Sequence, residues 1–283
     1  YPNKIIFICI MNTSTIKFFT GTLLLTLALG LFSFMFKSNP EVRDDLKPFY
    51  DKYGVDGSFV LYDQKKQKYI IYNKDQVSKP FTPASTFKIF NSLVALETKV
   101  VADEYAVFKW DGQQRQVAAW NADTDMRNAF KNSTVWYYQE IARRVGGKRM
   151  NSWLNKAKYG NADTSGGIDA FWLTGGLRIT PMEQIGLLRK LHDDKLPFSM
   201  RSMNIVKDIM IVKDTLGYVL RAKAGLGKQG NQYVGWYVGY ITTRDNTYYF
   251  SNCVQTDRRN AEFANARLNI VYDVLDRLAI VKK

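Results

Sequence analysis

The segment Thr82-Pro83-Ala84-Ser85-Thr86-Phe87-Lys88-Ile89-Phe90-Asn91 sets a lysine three residues after a serine at the head of an otherwise apolar helix. Residues three apart on a helix share a face, with Cβ atoms about 5–6 Å apart, so the Lys88 amine can reach the Ser85 hydroxyl. Phe87, Ile89, Phe90, Leu93, Val94, Ala95 and Leu96 cover most of the circumference, the pattern of a helix buried inside a domain. A free lysine, with pKa about 10.4, is ammonium at neutral pH, and burying an unpaired ammonium is costly. A chain that folds around this segment must neutralise the amine or modify it chemically. Either state can deprotonate a serine.

Two absences point the same way. The single histidine, His192, lies in Lys190-Leu191-His192-Asp193-Asp194 and reads as a solvated surface residue, whereas a Ser-His-Asp triad needs a buried, oriented imidazole. One His and two Cys give no zinc-ligand spacing, and His-Glu-x-x-His is missing, so no metal is expected. Lysine is the best base available to a nucleophile here.

A chain of 283 residues, 46% of them apolar, can bury one sizeable domain. Met11 can start translation, so residues 1–10 read as upstream sequence. After Lys17, residues 18–36 form nineteen positions without a charge, closed by Lys37. At 1.5 Å per residue such a stretch spans about 28 Å, one hydrocarbon core. Residues 11–37 therefore read as a signal peptide or an uncleaved signal anchor. The expectation is an exported protein, periplasmic and soluble or held at the inner membrane through residues 18–36, with residues 38–283 as its catalytic domain. Cys9 precedes Met11, so Cys253 stands alone in that domain and reads as a strand core residue. The net charge is +14; residues 1–37 hold three lysines and no acid, leaving +11 beyond them. Basic residues are scattered rather than clustered and no nucleic-acid-binding motif occurs, so the charge reads first as a merely soluble surface, then as a site for anionic cell-wall polymer or an anionic small substrate, and not as a nucleic-acid interface.

Residues 57–62 and 68–73 are β-rich runs around the polar turn 63–67, a hairpin. The Ser85 helix follows, then a largely helical middle at 126–130, 135–145, 150–157, 181–191 and 200–210. Strand patterns return at 218–224, 233–242 and 248–255, and an amphipathic helix closes the chain over 261–280. Strands at both ends with helices between them predict an α+β fold: an antiparallel sheet flanked by helices plus a helical subdomain, with the site in the cleft between.

Three short motifs follow the first. Ser133-Thr134-Val135 opens a helix and by itself reads as an N-cap serine. Tyr159-Gly160-Asn161 by itself is a turn. Lys223-Ala224-Gly225-Leu226-Gly227 ends a strand. Serine enzymes of the penicillin-binding type combine Ser-x-x-Lys with a Ser-Asp-Asn element and Lys-Thr-Gly. With Ser85-Thr86-Phe87-Lys88, Ser133-Thr134-Val135, Tyr159-Gly160-Asn161 and Phe171-Trp172-Leu173 in this order, residues 48–280 resemble the class D serine β-lactamases, the oxacillinases.

The resemblance implies the serine β-lactamase/transpeptidase fold and attack by Ser85 on a β-lactam carbonyl. It implies that Lys88 is carbamylated by carbon dioxide to N6-carboxylysine, that this carbamate is the general base, and that Trp172 donates its indole N–H to it. No cofactor beyond carbon dioxide or bicarbonate is implied. Ser133 would pass the proton to the leaving ring nitrogen, Lys223 would supply positive potential beside it, and the backbone N–H groups of Ser85 and Leu226 would form the oxyanion hole. Val135, Tyr159, Ala224, Gly225 and Leu226 would line the substrate site, and Arg267 would hold the substrate carboxylate, with Arg258 or Arg259 as alternatives. Ala224 departs from the pattern, which has Thr or Ser there. A membrane-anchored β-lactam sensor that stays acylated and a cell-wall D,D-peptidase share the Ser-x-x-Lys core and stand as alternatives to the hydrolase.

Overall fold

The computed structural model describes residues 39–258 and 261–281; the upstream and signal-segment expectations for residues 1–37 lie outside them. Residues 41–283 form one compact unit. Its strands are β1 (Glu41–Val42), β2 (Asp56–Asp63), β3 (Lys68–Tyr72), β4 (Ile211–Asp214), β5 (Tyr218–Gln229), β6 (Gln232–Thr243) and β7 (Thr247–Thr256). Its helices are α1 (Lys47–Asp51), α2 (Lys88–Glu97), α3 (Met126–Lys131), α4 (Val135–Val145), α5 (Gly147–Ala157), α6 (Pro181–His192), α7 (Met200–Ile209) and α8 (Ala261–Arg277). Among the described residues no helix is long and apolar enough to cross a membrane.

The strands make one sheet in the order β1-β3-β2-β7-β6-β5-β4. Every pairing is antiparallel except β1 with β3, which runs parallel. Successive side chains of a strand point to opposite faces, and here both faces are covered. On β2, Val60 and Tyr62 enter one core cluster while Phe59 and Leu61 enter the other. On β7, Tyr249 and Cys253 face the first and Phe250 and Val254 the second. That is why these strands read as continuous apolar runs rather than as alternating ones. The second cluster is closed by α8, whose Phe263, Ala266, Ile270 and Val274 recur at helical spacing on its buried side. The first holds α2 and the helical middle of the chain.

Local chemistry fixes α6, which crosses the sheet beneath the site. Thr180 and Glu183 form a reciprocal capping box and Pro181 occupies the first turn. Three elements escaped the sequence pattern. β1 is two residues long, α1 is a single turn begun by Pro48, and β4 is exposed throughout, so none carries an apolar periodicity. His192 differs from expectation: it is half-buried, with its ring edge-on to Tyr240 and Tyr249 and its Nδ1 2.9 Å from Asp193. Cys253 is fully buried on β7.

Candidate active site

Ser85 lies in a 3₁₀ turn, Ala84–Phe87, that runs directly into α2 at Lys88. The turn begins at Ala84 with φ +48, a left-handed conformation rarely adopted by a residue with a Cβ. Surrounding bonds hold it. The Ala84 N–H donates to Trp172 O at 3.0 Å, and Thr86 Oγ1 donates to Pro83 O at 2.7 Å. Gln184 of α6 donates to Thr86 Oγ1 at 2.9 Å, and Trp236 Nε1 of β6 donates to Thr82 O at 2.8 Å. On the other side β5 comes close. A Cβ at Gly225 would lie 3.2 Å from Pro83 O, and one at Gly227 would lie 3.0 Å from the Ala84 Cβ. Two glycines around Leu226 thus let this strand press its backbone against the Ser85 turn.

Lys88 is fully buried, and its Nζ donates to Ser85 Oγ at 2.8 Å. The Tyr138 ring lies 5.2 Å from the amine, and among the described residues no carboxylate pairs with it. Burial, reinforced by the charge of Lys223, pushes its pKa well below the usual lysine range.

A second serine–lysine pair completes the arrangement. Lys223 of β5 donates to Ser133 Oγ and, at 3.2 Å, to Ala224 O. Ser133 is not the N-cap that its position suggests. Thr134 occupies that position, and Ser133 sits one residue earlier at φ +54. The unusual backbone turns its hydroxyl toward Lys223 instead of toward the helix N–H groups, at a cost of about 1 kcal/mol. Val135, the first residue of α4, is half-buried beside it.

Burial and then the charge of Arg267 lower the Lys223 pKa to about 7. The unfolded chain therefore binds more protons than the folded one between about pH 7 and the ordinary lysine value of 10.5. Through this group, stability rises with pH across that window. Lys223→Gln should flatten the rise, measured as melting temperature against pH from 6.5 to 10.5 for both proteins. An unchanged slope would contradict the burial of a protonatable amine here.

Tyr159 is placed differently from its expected role. It is 1% exposed and packs on Phe87 and Phe90, with ring centroids 5.5 and 4.9 Å away. It supports the Ser85 turn from inside the core and lines no surface that a substrate can touch. Gly160 is required where it stands: at φ +47, a Cβ would fall 1.9 Å from Arg178 O. Asn161 ties the loop together, donating from Nδ2 to Gly176 O at 2.9 Å and accepting the Arg178 N–H at 2.9 Å. This loop delivers Trp172. The indole is fully buried, stacked on Phe87 at 5.3 Å, and its Nε1 has no hydrogen-bond acceptor among the described residues. Such a vacant buried donor costs about 1–3 kcal/mol, and it lies beside the Ser85 turn.

Arg267, on α8, is half-buried; its Nε donates to Ala264 O at 2.8 Å. Burial lowers its pKa to about 10, and among the described residues no carboxylate pairs with it. Arg258 is a solvent-exposed side chain beside Asp257, and Arg259 lies outside the described residues. Ala224 and Leu226 are half-buried and Gly225 is buried along β5. The sequence reading missed Ala84, Thr86, Gln184 and Gly227, the groups that hold the Ser85 turn. Gln184 stands 98 residues from Thr86, and no local pattern marks it.

Residues 57–276 match the penicillin-binding protein transpeptidase domain. Beta-lactamase OXA-48 of Klebsiella pneumoniae is 43% identical over 225 residues, 80% of this chain and 84% of that protein. The chain belongs to the class D β-lactamases. A class D β-lactamase from Nostoc superposes with TM-score 0.80 at 44% identity, over 83% of this chain and 99% of the other. The C-terminal domain of the Bacillus licheniformis BlaR penicillin receptor superposes with TM-score 0.81 at 34% identity, over 87% and 98%. Among the described residues of this β-lactamase no group of His, Cys, Asp and Glu side chains could hold a metal ion.

Proposed function

We propose that this β-lactamase hydrolyses β-lactam antibiotics through an acyl-enzyme on Ser85, with Lys88 as the general base in its N6-carboxylated form. The observation that carries the reading is the fully buried Lys88 amine, hydrogen-bonded to Ser85 Oγ and without a carboxylate partner. A base must stand within hydrogen-bond reach of the proton it takes, and a buried, neutral lysine does. Ser85 Oγ attacks the ring carbonyl carbon while its proton passes to the Lys88 side chain. The backbone N–H groups of Ser85 and Leu226 receive the developing oxyanion. As the ring C–N bond breaks, Ser133 Oγ protonates the nitrogen and Lys223 restores the Ser133 proton. The proton held by Lys88 passes on to the Ser133–Lys223 pair, so that the freed base takes a proton from water as it attacks the ester carbonyl and returns that proton to Ser85 Oγ as the ester bond breaks.

Carboxylation would give Lys88 an anionic oxygen base and remove the buried cation, and the vacant Trp172 Nε1 is the donor that would hold it. The neutral amine that burial favours is also the form that reacts with carbon dioxide. The test is chromogenic cephalosporin turnover by the chain with and without bicarbonate. Turnover that rises with bicarbonate supports the reading; its absence in both conditions overturns it. Similarity to the BlaR receptor domain favours a second reading, in which the acyl-enzyme persists. A penicilloyl adduct on Ser85 lasting for hours in mass spectra of the unaltered protein would select it. We place the enzyme outside the cytoplasm, soluble in the periplasm or held by residues 18–36, a distinction that cell fractionation resolves.

The carboxylate of the substrate should be held by Arg267. A hydrogen bond to a charged group contributes about 1.5–3 kcal/mol. Ala224→Thr, which restores a hydroxyl on β5, should chiefly lower KM for penicillins and change kcat less, because the contact exists in ground and transition states alike. Arg267→Ala should raise KM more in the parent than in the Ala224→Thr background. Equal losses in steady-state kinetics would mean that positions 224 and 267 do not share the carboxylate.

A further inference from the structure

We propose that the cleft beyond Lys223 is a subsite for a second anionic group, so that this enzyme prefers β-lactams carrying a negative charge besides the ring carboxylate. The proposal rests on the hydrolase reading above and names its substrate class. A cavity of about 520 Å³ opens from the site: Lys223 and Ala224 of β5 form one wall, and Arg127 and Lys131 of α3 contribute to its lining. Arg127 and Lys131 are four residues apart and so share a face of α3.

The charges of this wall are unevenly matched. Lys131 is exposed, and among the described residues no carboxylate pairs with it. Arg127 Nη2 meets Glu104 at 3.2 Å and its guanidinium lies 5.6 Å from the Tyr105 ring, while its buried Nε has no acceptor among the described residues. Asp125, the N-cap of α3, is engaged at the helix N-terminus by the Asn128 N–H at 2.7 Å and Nδ2 at 3.0 Å. Lys223 stands at the opposite wall, and the standing positive charge of the cavity comes from Arg127 and Lys131.

Substrate chemistry supplies the direction. Ser133, bonded to Lys223, faces the ring nitrogen, and the ring carboxylate is borne by the carbon next to that nitrogen. In a cephem the neighbouring ring carbon carries a variable substituent. With Ser133 at the ring nitrogen and Arg267 at the ring carboxylate, that substituent would leave the site past Lys223 and Ala224, which line the cavity. An anionic substituent there enters the field of Arg127 and Lys131; a neutral one gains nothing from them.

The experiment compares two cephalosporins of equal shape whose substituent at that position ends in a carboxylate or in its neutral primary amide. Their kcat/KM values are measured with the parent and with Arg127→Gln/Lys131→Gln. At low salt the parent should favour the anionic compound about tenfold, as expected from two partly exposed cations, and the preference should shrink at about 0.5 M salt. In the double variant it should fall to near one while the neutral compound is turned over as before. That unchanged rate also reports an intact fold, and the exposed Lys131→Gln alone should remove part of the preference. A ratio near one in the parent, or the same ratio in parent and variant, overturns the proposal. Calorimetric binding of both compounds to Ser85→Ala reads the same preference without chemistry. Failure of turnover with both compounds would thus count against the hydrolase reading and leave the subsite separately decided.

Discussion

Lys88→Met should lower kcat for β-lactams by about 10⁴-fold or more, because removing one member of a nucleophile–base unit costs nearly as much as removing the whole unit. Methionine keeps the volume and the apolar stem of lysine inside the core, so this loss is chemical and not structural. The Lys88 amine is fully buried with its pKa pushed well down, which means that the native state bears a desolvation cost that methionine does not carry. The variant should therefore melt no lower than the parent while its turnover is lost. Steady-state kinetics and a thermal melt on the same preparation check both halves. A variant that keeps more than about one per cent of kcat would remove Lys88 from the mechanism. Carbon-13 bicarbonate NMR separates the two forms of the base. The parent should show a carbamate signal that disappears in Lys88→Met and fades in acid, where carbamates release carbon dioxide. An active parent without that signal would leave the neutral amine as the base.

Trp172→Phe should separate the two half-reactions. The ring stacked on Phe87 at 5.3 Å is largely kept, but the N–H that has no acceptor among the described residues is lost. One preorganised donor to a developing or resident charge is worth about 10²–10³ in rate. Ser85 should still be acylated, while deacylation slows by about 100-fold, so a penicilloyl adduct accumulates in the mass spectrum. Raising bicarbonate should restore part of the rate by mass action on a weakened carbamate. Trp172→Ala would remove a large fully buried side chain and is expected to cost about 3–5 kcal/mol of stability as well. It is the poorer probe. Rapid deacylation in Trp172→Phe without added bicarbonate would dissociate the indole N–H from the base.

The apolar surroundings of Lys88 made its burial legible from the sequence alone. The helix periodicity, the hairpin at 57–73 and the three closing strands were equally legible, since each rests on spacing within one segment. The exceptions share one physical reason. β1, α1 and β4 are short or exposed, and they exist because a neighbouring strand or helix offers bonds and surface to them. Ser133 illustrates the same limit. Its sequence context says N-cap, but the hydroxyl is claimed by a lysine 90 residues away on β5, and Thr134 stands at the N-cap position without a side-chain cap bond. Tyr159 reads locally as part of an ordinary turn, yet its ring is core, because Phe87 and Phe90 pack against it.

What the sequence determined by itself is local: a serine three residues before a lysine at the head of an apolar helix, the order of the motifs that follow, and the strand and helix patterns around them. Those follow from residue type and local periodicity, which any chain carries before it folds. What only the tertiary structure decided is how those groups meet. The left-handed turn at Ala84, the approach of Gly225 and Gly227 against it, the vacant Trp172 donor and the meeting of α3 cations with β5 all join segments far apart in the chain. Their free energy comes from burial and hydrogen bonds between elements, and no local pattern encodes a partner that closes only when the sheet does.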